Sequence, residues 1–131
     1  MLECIFLFTL ILVYYIYTQL HAEHAVITDV KRRIAVVLPS VSELYIRQGE
    51  KPMIVNKQDI YLTLYDSDGR LYDINTIVYV CLHELSHLIC DTEDTVEHHS
   101  PAFYSIFNKL LRVSVDNGVF NPTTPINSDF M

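Results

Sequence analysis

The chain has 131 residues, half of them hydrophobic and 19% charged, which is typical of a globular protein and excludes intrinsic disorder. The net charge of −7 and the pI of about 5.2 argue against a nucleic-acid partner, because polyanions bind basic surfaces. Three cysteines cannot form a disulfide framework, so the small disulfide-stapled secreted class is also excluded.

The first twenty residues are almost entirely apolar and predict a transmembrane helix. The run carries one charge, Glu3, and is about the minimum length that crosses a bilayer. Tyr14, Tyr15 and Tyr17 lie near its end, where aromatic side chains meet lipid headgroups. A cleaved signal peptide is the alternative, but it requires a basic start and a small-residue cleavage site. We therefore predict an anchor over residues 1–20 and one domain over residues 21–131.

The charges beside the anchor predict its orientation. Lys31, Arg32 and Arg33 follow the anchor closely and no basic residue precedes it, so the positive-inside rule places the C-terminal part in the cytosol. The free thiols of Cys81 and Cys90 are compatible with that reducing compartment. These observations predict a single-pass membrane protein with a cytosolic domain.

The first half of the domain predicts a helix followed by a short antiparallel sheet. Apolar residues at helical spacing predict a helix from about residue 22 to residue 38, which Pro39 ends. The mixed stretch 40–56 is interpreted as a loop. The β-forming run Ile60–Tyr65, the turn residues Asp66–Gly69 and a short return over residues 70–72 predict a hairpin.

The second half of the domain predicts two helices. Asp73 or Asn75 can cap a helix that runs to about Ile89. Ser100, with proline directly after it, predicts the start of a last helix, and Gly118 predicts its end. One helix, a short sheet and two further helices make an α+β fold.

The residues that carry chemistry lie inside the predicted middle helix. His83-Glu-Leu-Ser-His87 is an H-E-x-x-H motif, and a spacing of four places both imidazoles on one helical face, where they can bind one metal ion. Glu84 points about 100° away and would act on a water molecule as general base. Zinc fits best, because neutral imidazoles in tetrahedral geometry suit it.

A catalytic zinc site needs a third protein ligand. A glycine and a histidine three and six residues after His87 would supply one pattern, but Cys90 and Glu93 occupy those positions. A later helical glutamate would supply another, but no glutamate follows Glu97. Unless Glu93 or Glu97 reaches in from the loop, the third ligand is His98 or His99, at the start of the last helix.

The chain resembles the WLM and SprT-like zinc metallopeptidases, and above all the small single-domain versions encoded by large DNA viruses. The resemblance rests on the motif at 83–87, on His99-Ser-Pro-Ala-Phe103, on the Asn75-Thr76 entry to the helix and on Gly118-Val-Phe-Asn-Pro. It covers about residues 54–130. Alignment on Phe103 implies that His83, His87 and His99 hold the zinc and that Glu84 is the base.

The resemblance also implies a minimal zincin-like domain in which a strand beside the metal, here Ile60–Tyr65, holds an extended peptide. The chain lacks the basic DNA-binding extensions of some members, so their DNA-linked role is not carried over. We therefore predict a membrane-anchored zinc endopeptidase with a peptide or protein substrate. Tyr79 or Tyr104 is a weaker candidate for stabilising the oxyanion.

Two alternatives stay open at the level of sequence. One is a tethered interaction protein with a structural zinc, whose fourth ligand would be His98 or Cys90. The other is an inactive remnant of the fold that retains no metal.

Overall fold

A computed structural model describes residues 1–90 and 99–127. Within these residues the chain forms three α-helices and a three-stranded sheet, which confirms the α+β prediction. The zincin-like architecture stays a prediction. The elements in chain order are α1 (Leu2–Ala35), a 3-10 helix (Pro39–Glu43), β1 (Tyr45–Gln48), β2 (Met53–Val55), β3 (Asp59–Leu62), α2 (Ile74–Cys90) and α3 (Pro101–Asp116).

The predicted anchor and the predicted first helix form one unbroken helix, α1. Its N-terminal part is exposed and is long and apolar enough to cross a membrane. Its C-terminal part belongs to the domain core, since Val30 and Ile34 are fully buried. The helix ends at Ala35, three residues earlier than predicted, because Leu38 precedes a proline and leaves the helical region (φ −138°, ψ 83°).

The sheet differs from the predicted hairpin. Its order is β1-β3-β2, with β1 parallel to β3 and β2 antiparallel to β3. Two of the three strands therefore come from residues 40–56, which were predicted to be a loop. The strand predicted to hold an extended peptide contributes β3, which is paired on both sides and cannot accept another strand.

The predicted hairpin over residues 59–72 is reduced to one antiparallel bridge between Tyr65 and Leu71. Beyond Leu62, Leu64 donates its N–H to the Gln48 side chain at 2.8 Å, so a side chain replaces the strand partner. The turn itself is as predicted: the Asp66 carboxylate accepts the N–H groups of Asp68 and Arg70, both at 2.9 Å. These bonds satisfy the Asp66 carboxylate within the turn.

The core lies where α2 packs against the sheet, α1 and α3. Asp73 caps α2 as predicted, because its carboxylate accepts the Thr76 N–H at 3.1 Å and hydroxyl at 2.7 Å. The C-terminal tail is hydrogen-bonded to the N-terminal end of α2. The Asn75 side chain accepts the Asn121 N–H at 2.8 Å and donates to the Asn121 carbonyl at 3.0 Å. Gly118 ends α3 as predicted, at φ +71°.

Candidate metal centre

Helix α2 places His83 and His87 one turn apart on a single face, as predicted from their spacing. Their Nε2 atoms lie 3.3 Å apart. Two nitrogens about 2.05 Å from a tetrahedral zinc ion lie about 3.4 Å apart, so this pair already has the required separation. The opposite face of α2 is buried in the core through Val78, Leu82 and Leu85, which fixes the direction in which both imidazoles point.

Helix α3 brings the third histidine to the same point. The Ser100 hydroxyl accepts the Phe103 N–H at 3.2 Å and caps α3, which begins at Pro101, two residues after His99. One ligating atom from each of His83, His87 and His99 lies within 4.8 Å of the other two. Two imidazoles from α2 and the imidazole that precedes the cap of α3 thus converge, and they can hold a metal ion.

A buried phenylalanine forms the floor beneath the three histidines. The Phe103 ring is 1% exposed. Its centroid lies 4.3 Å from that of His87, 4.6 Å from His99 and 5.1 Å from His83. Phe107, one turn further along α3, contacts His83 at 5.3 Å. This apolar floor restricts the imidazole orientations and excludes water from one side of the cluster.

The surroundings favour the neutral form of His83 and His87 near pH 7. Burial, followed by the neighbouring His87 and His99, lowers the pKa of His83 to about 4. Burial and His99 also lower the pKa of His87. Because only a neutral imidazole has a free lone pair for a metal ion, these two histidines can bind one near pH 7 without first losing a proton.

Glu84 is the carboxylate of the site. It lies beside His83 in a cleft, and burial raises its pKa to about 7. Among the described residues it is not part of the histidine cluster, in agreement with a role other than ligation. A carboxyl with a pKa near neutrality can both accept and return a proton, which is what general acid–base chemistry requires.

The cleft beside the histidines has a volume of about 460 Å³. Apart from His83, Glu84 and His99 its lining is apolar or aromatic, and it comprises Pro52, Tyr79, Val80, Phe103, Tyr104 and Phe107. Sequence reasoning missed Pro52 and Val80. Val80 is three residues before His83, and that spacing already placed it on the same helical face. Pro52 carried no signal, because the strand that follows it was not predicted.

The remaining candidates from the sequence are two cysteines, three residues of the loop before His99 and two tyrosines. Cys81 is fully buried as predicted, and burial raises the pKa of its thiol to about 12, which makes it unreactive. Cys90 ends α2 and is packed against the core; it does not belong to the histidine cluster. His98, Glu93 and Glu97 lie outside the described residues.

Tyr79 packs edge-on against a core phenylalanine, whereas Tyr104 is half-exposed on the cleft rim.

Comparisons with known proteins identify viral relatives. An uncharacterized protein of invertebrate iridescent virus 6 is 30% identical over 93 residues, which is 69% of this chain and 50% of that protein. Uncharacterized proteins of invertebrate iridescent virus 3 and Acanthamoeba polyphaga mimivirus are 30% identical over 90 residues and 38% identical over 52 residues. The latter two matches cover 68% and 40% of this chain.

The chain spans about half of the two iridescent virus proteins and 24% of the mimivirus protein. No family model and no solved structure matches the chain. The sequence resembled proteins encoded by large DNA viruses, and these three relatives are viral proteins as well. All three are uncharacterized.

Proposed function

We propose that the chain is a membrane-anchored zinc endopeptidase, in which His83, His87 and His99 hold the metal and Glu84 moves the proton. One observation carries the proposal: the three imidazoles of His83, His87 and His99 converge beside the partly buried carboxylate of Glu84 in an open cleft. This arrangement supports the resemblance to WLM and SprT-like metallopeptidases, including its choice of His99 as the third ligand.

Zinc suits the donor set better than other common metals. Calcium and magnesium prefer oxygen ligands, whereas imidazole nitrogens suit zinc in tetrahedral geometry. Zinc bound by three histidines would polarise a peptide carbonyl and lower the pKa of a water molecule towards about 7. Among the described residues no fourth histidine, cysteine or carboxylate joins the cluster. Cys90, one of the two residues that would close a structural site, is not in the cluster, which favours catalysis over the alternative of a purely structural zinc.

Glu84 is suited to transfer one proton in each cycle. Its carboxylate would take a proton from the attacking water and give it to the leaving amine, so it ends the cycle unchanged. Partial burial raises its affinity for that proton. The lone pairs of the neighbouring histidines would be occupied by the metal, so Glu84 is the group that would perform this step.

The sheet favours an extended peptide as substrate. β2 is an outer strand of the sheet, and Pro52 directly before it lines the cleft. A peptide added to the free edge of β2 would pass the histidine cluster in an extended form. β2 thus replaces Ile60–Tyr65 in the role that the resemblance implies. The anchor over residues 1–20, with the domain on the cytosolic side, completes the proposal.

The test combines metal content with peptide cleavage on the full chain in detergent. We expect one zinc per chain and cleavage of a peptide pool, with Glu84→Gln keeping the zinc and losing the cleavage. His99→Ala should lose zinc, whereas His24→Ala, an exposed histidine on α1, should behave as the wild type. The proposal fails if zinc-loaded wild type and Glu84→Gln are equally inactive. Retention of full zinc affinity by His99→Ala would remove that residue from the ligand set.

A further inference from the structure

The domain begins on α1 before the apolar part of that helix has ended. Going along α1, partial burial starts at Gln19 and recurs at Ala22, Glu23 and Val26, and Val30 is fully buried. These positions recur every three or four residues and therefore share one helical face. No linker separates the predicted anchor from the domain that packs on this face.

The helix geometry gives the depth of this contact relative to a bilayer. Residues 2–20 span about 28 Å at 1.5 Å per residue, which matches a hydrocarbon core of about 30 Å. The headgroup layer adds about 5–7 Å on each side, so it would surround α1 from about residue 21 to residue 25. The Tyr65 side chain interacts with Gln19 and Glu23 of α1 and therefore lies at this depth.

The turn of residues 65–71 presents a suitable surface at the same level. Tyr65 and Leu71 form an antiparallel bridge, and partners in such a bridge project from the same side. Since the Tyr65 side chain is directed at α1, Leu71 also lies on the α1 side, where its side chain is 43% exposed. Asp66 already accepts two N–H groups inside the turn. An apolar side chain beside a satisfied polar turn suits the boundary between headgroups and hydrocarbon.

We propose that the turn of residues 65–71 rests on the membrane surface, with Leu71 at the headgroup boundary. The domain then has two attachments to the bilayer, the helix and the turn, and its cleft is held in one orientation. This inference requires α1 to span the membrane, but it does not depend on peptidase activity.

The absence of tryptophan from the chain allows a direct test. Single tryptophans replace Leu71, Ile89 and Phe8 in turn, in the full chain reconstituted into phosphatidylcholine vesicles. Ile89 is the matched control for Leu71, because the two side chains are 44% and 43% exposed. Ile89 lies at the C-terminal end of α2, the end away from the turn. Quenching is measured with lipids brominated near the glycerol end or near the methyl end of the acyl chains. Circular dichroism checks folding, and Ser67→Trp in the exposed turn replaces Leu71→Trp if that variant does not fold.

We expect Leu71→Trp to lose emission to the shallow bromines and Phe8→Trp to lose emission to the deeper ones, whereas Ile89→Trp keeps its emission. If Phe8→Trp is quenched and Leu71→Trp is not, the proposal is wrong although the anchor spans the bilayer. Equal quenching of Leu71→Trp and Ile89→Trp would also overturn it, because the domain would have no fixed orientation. An unquenched Phe8→Trp would refute the anchor itself.

Discussion

Replacement of Glu84 by glutamine in the metal-free chain is expected to raise the free energy of unfolding above pH 7 and to leave it unchanged near pH 4. The folded protein raises the pKa of Glu84 from 4.5 to about 7, because the carboxylate is buried. Between these two values the folded state binds more protons than the unfolded state, so its stability falls as the pH rises. Glutamine has no charge to bury and escapes this loss.

The expected size follows from the shift. A change from 4.5 to about 7 corresponds to about 3 kcal/mol, at about 1.4 kcal/mol for each pH unit. For a domain of this size such a difference moves the melting temperature by about 10 °C. His83 has the opposite dependence, since its pKa is lowered to about 4 and its contribution is lost below about pH 6.5. Both proteins contain His83, so the difference between them isolates Glu84.

Thermal unfolding followed by circular dichroism, with a chelator present, provides the assay. Melting temperatures of the wild type and Glu84→Gln are compared between pH 4 and pH 8, and Glu50→Gln serves as a control for an exposed carboxylate. Added zinc should reduce the gap at pH 8, because a dication beside Glu84 stabilises its charged form. The reasoning is refuted if the melting temperatures of wild type and Glu84→Gln differ by the same amount at pH 4 and pH 8. It is also refuted if the wild type melts at a higher temperature than Glu84→Gln at pH 8.

Three further predictions concern the scaffold of the site. Phe103→Ala should lower the free energy of unfolding by about 3–5 kcal/mol and weaken zinc binding in a chelator competition, whereas the exposed Tyr104→Ala should do neither. Asp73→Ala should cost about 1–2 kcal/mol in chemical denaturation through loss of the α2 cap, and Asp68→Ala, whose carboxylate caps no helix, should cost much less. Gly49→Ala should cost about 1–3 kcal/mol, because a Cβ there would lie 2.9 Å from the Tyr61 Cβ; Glu50→Ala next to it is the control, and equal stability of the two would contradict the predicted clash.

The helices of the site were predictable because their signals are local. The Asp73 and Ser100 caps, Pro101 and Gly118 each act within a few residues, and all four are found at the predicted places. The convergence of His83 and His87 follows from helical periodicity alone. The approach of His99 required the resemblance, because the residues by themselves left His98 open.

The sheet was not predictable in the same way, because its pairs are distant in sequence. The parallel contact of β1 with β3 joins Tyr45 to Asp59, and no local pattern announces such a pair. The β2–β3 connection uses Asn56 and Lys57 at φ 54° and 56°, and turns with two positive φ values ordinarily contain glycine. Lysine in this conformation gives no turn signal, so the stretch was interpreted as a loop.

The phenylalanine floor has a consequence for how relatives of this chain can be recognised. Phe103 and Phe107 pack α3 against the histidine face of α2, and this packing brings His99 to the other two histidines. The number of residues between the two helices does not set this position. Insertions or deletions in that connection should therefore leave the ligand geometry intact. A search pattern that fixes the distance from His87 to the third histidine would overlook such homologues. A pattern of H-E-x-x-H followed at any distance by His-x-x-x-Phe at the head of a helix would retain them.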